Sequence, residues 1–417
     1  MNFNKIIFPE KSKNKFQTKM SVQHNNFYLC GLHKNLFMKS FLLKYSIFLF
    51  LIFTVSCKQN SENKSNAQAN IKNSVRYAKG LEIYKHENFS IVKISNPWPD
   101  AKTGFTYILH KKGASIPDSL KNYTQIQVPI KSIVVTSTTH IPSLEMLGVE
   151  NTLLGFPNTD YVSSEKTRVL IDSKKVKDVG INQNLNTEVL IDLQPEVIVG
   201  YSIDDNNKDY SNLQKSGLKV VYNGDWTEQT PLGKAEWIKF FGALYDLDGK
   251  ANSEFEKVEK EYENALALVK TSKSFPTVFS GAIYQDQWYL PGGKSWGALF
   301  LKDAGAKYLW DETSETGSLS LSFETVLEKA EDADFWIGPA QFTSLQEMEN
   351  ANPNYKYFKA FKTKNVYSFS SKKGKTGGVL YYELAPNRPD LILKDLIKIM
   401  HPQVLKDHEL VFFEKLK

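Results

Sequence analysis

Six aromatic residues, Tyr201, Trp226, Tyr284, Trp288, Trp296 and Phe342, fall where the sequence predicts strand ends or loops. Flat apolar faces gathered along one cleft suit a large planar or macrocyclic ligand. Taken singly, each serves equally well as core packing. Trp288 and Trp296 weigh more, because they flank PGGKSWG, a stretch too polar and Gly-rich for a core. Thr138 and His140 follow a predicted strand end and are candidates to face the same ligand. A lone His at such a place is more often an ordinary loop residue, so metal ligation by His140 is the lesser expectation. The seven histidines show no metal-ligand spacing. A carboxylate–His–Tyr cluster for bare ferric ion cannot be assembled from the sequence. PGGKSWG lacks the GxxxxGK[ST] spacing of a phosphate loop, and no GxSxG elbow occurs. No Ser/His/Asp or Cys/His set stands out. The chemistry on offer is binding rather than catalysis, with no resident cofactor or metal.

The elements that must position these residues read as α/β. From Val128, short continuous apolar runs alternate with helix-like segments: KSIVVTS then IPSLEMLG, TLLGF, EVLIDL then EVIVGYS, YSNLQKSG then KVVYNG. Buried runs of that kind belong to parallel sheets. Ligands of such sheets sit beyond the carboxyl ends of the strands, which directs attention to Thr138 to His140, Tyr201 to Asp204, and Asp225 to Trp226. The logic repeats after Pro276 with TVFSGAI, ALFLKDAGA, FETVLEKA, DFWIGPA and NVYSFS, and a last helix runs from Pro389 to Met400. Between the two regions, Gly249 to Ser272 places Phe255, Val258, Tyr262, Leu266 and Val269 at helical spacing, with Glu and Lys opposite. Before Val128, LEIYKH, FSIVKIS and FTYILHKK predict a small antiparallel element broken by NPWPDAKTG. The expected architecture is two three-layer α/β lobes with parallel central sheets, joined by a single long helix and preceded by an N-terminal β element. The expected divisions are 76–127 for that element, 128–232 for the first lobe, 233–272 for the linker helices and 273–417 for the second lobe. Glu188 opens EVLIDLQPEVIVG and Glu324 opens ETVLEKAEDADFWIG, a faint repeat with a two-residue insertion in the second copy.

The front of the chain reads as an address. Lys39 and Lys44 precede an apolar run, Tyr45 to Val55, of 11 residues. That is too short to span a hydrocarbon core of ~30 Å. Ser56 and Cys57 follow, and the stretch 38–57 resembles a bacterial lipoprotein signal peptide in which Cys57 becomes the acylated first residue. Thr54 stands where Leu is usual, so the motif is permissive; an ordinary secretory signal is the competing reading. Residues 58–75, rich in Asn, Ser, Lys and Gln, suit a disordered tether. Residues 1–37 do not fit in front of such a signal, and translation is expected to begin at Met38.

Of the two cysteines, Cys30 and Cys57, the processed chain would keep one, which leaves no disulfide framework. A net charge of +6 over 417 residues, with basic and acidic residues interleaved, argues against a nucleic-acid stripe.

The segments LNTEVLIDLQPEVIVG, LSFETVLEKAEDADFWIG and RPDLILKDLIKIMHP, set in two lobes around one long helix, resemble the periplasmic-binding-protein family for iron-siderophore, haem and cobalamin uptake. The resemblance spans roughly 128–402. NPWPD, WYLPGGKSW and HPQVLKDHELVFFEKL are similar to its lipoprotein branch in Bacteroidetes-type bacteria. The resemblance implies a monomeric, lipid-anchored binding protein on the periplasmic face of the membrane. It would hand a small-molecule metal chelate (ferric siderophore, corrinoid or haem) to an ABC permease with its ATPase. It places Glu188 and Glu324 at the positions that meet permease arginines; the alternative is that each is only a helix-start carboxylate. It implies that Tyr382 and Arg388, in the segment before the last helix, face the ligand, and guanidinium suits carboxylate, catecholate or phosphate groups; for Arg388 a surface capping interaction is an equal alternative. Lys372 and Lys373 are weaker candidates of that kind. Relatives that bind haem supply an axial Tyr or His, and none stands out here. A rigid helical spine would allow only a small closure. Two other classes stay open on the sequence: a surface adhesion or assembly lipoprotein, and an enzyme on an α/β scaffold.

Overall fold

The computed structural model describes residues 71–204, 207–270 and 274–417. The expected signal peptide, acylation at Cys57 and start at Met38, and most of the expected tether, lie outside the described residues.

Two parallel sheets form the frame. In the first lobe the strand order is Val220–Tyr222, Val197–Gly200, Ile133–Val135, Leu153–Phe156, Lys177–Asp178, all parallel. In the second it is Lys307–Tyr308, Thr277–Ser280, Phe335–Ile337, Val366–Ser368, Glu414–Lys415, parallel except for the last. In the first lobe the central strands Ile133–Val135 and Val197–Gly200 are buried end to end, hence the unbroken Val/Ile runs; in the second, Val278–Ser280 and Trp336–Ile337 are buried. In each lobe the chain starts in the middle of the sheet, builds outward on one side, and later returns to the other. The reversal falls between Ile133–Val135 and Val197–Gly200 in the first lobe, and between Thr277–Ser280 and Phe335–Ile337 in the second. Such switch points open a crevice beyond the strand ends.

The faint repeat now has a structural meaning. The helices Thr187–Leu193 and Phe323–Ala330 each lead into the strand that flanks the reversal. Each is capped in the same way: the side chain of Asn186 accepts from Val189 N, and that of Ser322 from Thr325 N. Glu188 and Glu324 therefore occupy the same position, the second of their helices.

The spine helix runs Asp248–Val269, 22 residues, or about 33 Å at 1.5 Å per residue. Ala251, Phe255, Val258, Tyr262, Ala265 and Val269 bury one stripe, which packs on Ile238–Leu244 and on the last helix, Pro389–Met400. Lys394 Nζ meets Glu261 Oε2 at 2.5 Å across the latter contact.

The N-terminal sheet has the three predicted antiparallel strands, Leu81–Lys85, Phe89–Ile94 and Phe105–His110, plus Thr124–Gln127 parallel to the third. Its apolar face shares one core with the first lobe and the spine. The polar segment read as a tether through Val75 is already tied down before that point. Asn73 Oδ1 accepts from Ile83 N at 3.0 Å, and Val75 is buried. Next, Glu236 accepts from the backbone N–H groups of Arg76, Tyr77 and Ala78, and Glu228 from those of Lys79 and Gly80. Glu259 of the spine takes the Arg76 guanidinium at 2.6 Å and the Tyr77 hydroxyl at 2.5 Å. At the other end, the fully buried Asp395 accepts from Val411, Phe412 and Phe413 N and pairs with His408 Nε2 at 2.6 Å. That carboxylate docks the C-terminal tail so that Glu414–Lys415 reaches the edge of the second sheet.

Candidate ligand-binding cleft

The first lobe contributes the turns after three adjacent strands. Thr136 Oγ1 accepts from Tyr201 N at 2.8 Å and shares a hydrogen bond with Tyr210 Oη at 2.9 Å, which holds the switch point together. Thr139 Oγ1 donates to Asp225 Oδ2 at 2.7 Å. Lys234 Nζ donates to the carbonyls of Asp225 (3.1 Å) and Trp226 (2.8 Å). Tyr201 and Trp226 meet edge to face at 5.6 Å. Thr138 is half-buried in the same turn. His140 is fully buried against Phe241, 5.5 Å between rings. Burial pushes its pKa down to about 4, so the imidazole is neutral at physiological pH.

The second lobe contributes a cavity of about 440 Å³ at its own switch point. Ser280, Gly281 and Gly338 form its backbone wall, and Trp296, Phe369, Tyr381 and Tyr382 much of its aromatic one. Phe369 and Tyr381 stack at 4.3 Å, and Trp296 leans on Tyr381 at 5.7 Å. The Ser295 side chain caps the helix that begins at Trp296, which fixes the indole at the rim. Lys234, in the short helix Pro231–Ala235 at the end of the first lobe, bonds Trp226 O and lies 5.6 Å from the Trp296 ring centre, so the two halves adjoin.

Direct bonds also join the lobes. Asn387 Nδ2 donates to Thr139 O at 2.8 Å, and Ser143 Oγ donates to Asn387 Oδ1 at 2.7 Å. Glu383 accepts from Ser163 N (2.6 Å) and Ser164 N (2.8 Å). Burial pushes the Glu383 carboxyl up to about 7; the two N–H groups pull against this and nearby Glu145 adds to it. Its folded pKa lies above its ordinary value of 4.5. Between those values the folded protein holds a proton that the unfolded chain has lost. The contribution is full below pH 4.5 and disappears as pH rises through 7, a change of roughly 3 kcal/mol. Urea melts at several pH values should show this decline in the wild type and a flatter profile in Glu383→Gln. Parallel profiles would refute the assignment.

Several predicted site residues lie elsewhere. Trp288 is a core residue: in strand Gln287–Pro291 the side chains alternate, and Trp288 and Leu290 point inward. Its Nε1 donates to Ser280 O at 2.9 Å, and its ring packs 5.3 Å from Trp336. Tyr284 is exposed at the end of a hairpin strand beside Tyr289 and does not line the cavity. Phe342 is buried against Tyr355 and borders a separate surface groove with Glu347 and Lys373. Arg388 is not at the cavity, since its guanidinium binds Asp390 through two bonds, 2.9 and 2.7 Å, with the carboxylate fully buried. Its bonds to Asp390, and beyond them the negative charges of Glu261 and Glu254 on the spine, favour the charged guanidinium. Thr138, His140, Tyr201 and Trp226 do come together, and Trp296 and Tyr382 line the facing cavity. Glu188 and Glu324 are exposed and form no ion pair among the described residues. Sequence reasoning marked the stretches that hold Thr139 and Asp225 without singling out those two side chains, and it missed Lys234, Phe369 and Asn387 and the place of Tyr381 in the cavity wall. Asp225 was marked by its place after a predicted strand end. Nothing in the sequence marks Lys234.

Two α/β lobes on a helical spine, with their switch points turned to one cleft, define a two-lobed solute-binding protein. Residues 133–372 match the family described as periplasmic binding protein, and the chain belongs to that family, whose members are substrate-binding components of transporters rather than enzymes. An uncharacterized lipoprotein of Methanocaldococcus jannaschii is 29% identical over 394 residues, covering 87% of this chain and 92% of its own. A possible iron-binding (periplasmic solute-binding) protein from Staphylococcus epidermidis superposes with a TM-score of 0.52 at 20% identity, over 66% of this chain and 99% of its own. A periplasmic heme binding protein from Pseudomonas aeruginosa gives 0.52 at 16% identity, over 69% and 98%. These likenesses establish the shared fold. No helix among the described residues is long and apolar enough to cross a membrane.

Proposed function

We propose that this protein captures a metal chelate (a ferric siderophore, a corrinoid or haem) outside the inner membrane and delivers it to an ABC permease. The observation that carries this reading is the pairing of two aromatic-walled switch points across one cleft: Tyr201 and Trp226 on one side, Trp296, Phe369 and Tyr381 on the other. Flat faces of this kind match the extended apolar surface of such ligands. The iron and heme descriptions of the structural neighbours agree with it. Cys57 would carry the lipid anchor, in keeping with the lipoprotein relative, and would place the protein on the periplasmic face of the membrane. Glu188 and Glu324 would meet the permease.

The test is a titration of the purified full chain, in detergent, with cyanocobalamin, cobinamide, hemin and several ferric siderophores. Tryptophan quenching, confirmed by calorimetry because haem and corrinoids absorb light, should saturate below micromolar concentration for one class. Failure of every class on protein stripped of carried-over ligand would sink the reading.

A further inference from the structure

The two halves of the cleft share an electrical property. Among the described residues no charged side chain lines the second lobe's cavity; its polar groups are hydroxyls such as those of Ser295, Tyr381 and Tyr382. Beside Tyr201 and Trp226 stand one carboxylate, Asp225, and one ammonium, Lys234, which bonds the carbonyls of Asp225 and Trp226; the charged opening between the lobes at Glu165, Arg168, Asp172, Lys372, Lys373 and Lys375 shares no lining residue with the cavity. The guanidiniums are spent elsewhere. Arg76 is on Glu259, Arg168 is on Asp172 and Thr159 O, and Arg388 is on Asp390. These three are all the arginines in the sequence.

The same region holds buried polar atoms without partners. Asp225, 5% exposed, has Oδ1 unpaired although Oδ2 is bonded to Thr139. His140 has both ring nitrogens unpaired at zero exposure. The indole N–H groups of Trp226 and Trp296, one from each lobe, are also unpaired, as is Asn223 Nδ2. Buried groups of this kind demand partners. Leaving out His140, which is sealed against Phe241, the inventory is mixed: one anionic acceptor, Asp225, and three donors, the two indoles and Asn223. A carboxamide, with one carbonyl acceptor and N–H donors on a single uncharged group, meets both demands. A carboxylate or catecholate meets the donors but sets its charge against Asp225, with no arginine to offset it.

We infer that the cleft selects an uncharged ligand edged with amide-type groups over a polyanionic one, and that Asp225 is the residue that enforces the choice. This rests on the solute-binding reading and narrows its ligand class.

The decisive comparison uses ligands that share a body and differ at the edge: dicyanocobinamide against the same corrinoid with its side-chain amides hydrolysed to carboxylates. A neutral ferric trihydroxamate against a trianionic ferric triscatecholate forms a second pair. Calorimetry on the wild-type protein should give the uncharged member of the pair that binds an affinity roughly tenfold or more above its anionic counterpart. Equal affinity, or a preference for the anion, overturns the inference and leaves the solute-binding reading standing. No binding by either pair or by haem removes both. Asp225→Asn should shrink the preference by weakening the uncharged ligand and strengthening the anion. An unchanged ratio in a variant that melts like the wild type overturns the assignment to Asp225. If the variant does not fold, the wild-type ratio still decides the selectivity.

Discussion

Replacing Asp395 by alanine is expected to remove about 3–5 kcal/mol of stability, the cost of breaking a buried ionic hydrogen-bond cluster from one side. One carboxylate with no solvent exposure satisfies three consecutive backbone N–H groups, those of Val411, Phe412 and Phe413, and the His408 ring. Phe412 and Phe413 sit in the second lobe's core, so the loss strands polar backbone beside apolar side chains and loosens the sheet edge at Glu414–Lys415. Urea unfolding should show the drop, with Asp407→Ala, an exposed change nearby, staying within about 0.5 kcal/mol of the wild type. A loss for Asp395→Ala below about 1 kcal/mol would show that the tail is held by packing alone.

Reversing both exposed glutamates, Glu188→Lys with Glu324→Lys, should reduce uptake by roughly a hundredfold or more in cells carrying the cognate importer. Affinity for the ligand should not change, since neither side chain is near the cleft's polar cluster. Each glutamate is the second residue of a capped helix, so its loss from the positive end of that helix should cost under about 1 kcal/mol. The single variants should fall between the wild type and the double variant. Wild-type uptake by the double variant would reduce the two residues to helix-start carboxylates. The paired placement argues against that. Both helices lead into the strand beside the sheet's reversal, which gives two rigidly spaced anions on one body.

Much of the frame was legible because parallel strands buried on both faces leave unbroken apolar runs, as in Ile133–Val135 and Val197–Gly200. Strand order was not, since Ile133–Val135 pairs with both Leu153–Phe156 and Val197–Gly200 and no local pattern ranks such neighbours. The two-residue strand Glu414–Lys415 is too short to carry a period. In the cleft, Tyr201, Trp226 and Trp296 were found by their places at the carboxyl ends of strands and at the Gly-rich loop. Trp288 was misplaced because nearness to that loop was given more weight than its alternation with Leu290. Arg388 was misplaced because its partner, Asp390, stands two residues ahead, and the pair forms only once Pro389 starts the helix. Lys234 and Glu383 act on the opposite lobe, and contacts such as Glu383 with Ser163, 220 positions apart, leave no trace in local sequence.

The clamp on Arg76–Gly80 also sets a route for mechanical load. Any pull that reaches the domain from its amino-terminal side meets first Asn73 and Ser74 on Ile83, and behind them five backbone N–H groups held by Glu236 and Glu228, with Arg76 and Tyr77 on Glu259. Glu236 and Glu228 flank the helices leading into the spine, and Glu259 lies on the spine itself. Past those first contacts on the Leu81–Lys85 strand, the force enters the piece common to both lobes and is shared among several bonds. Such tugging would carry the body as a whole and leave the spacing of the two lobes, and with it the grip on a bound solute, undisturbed.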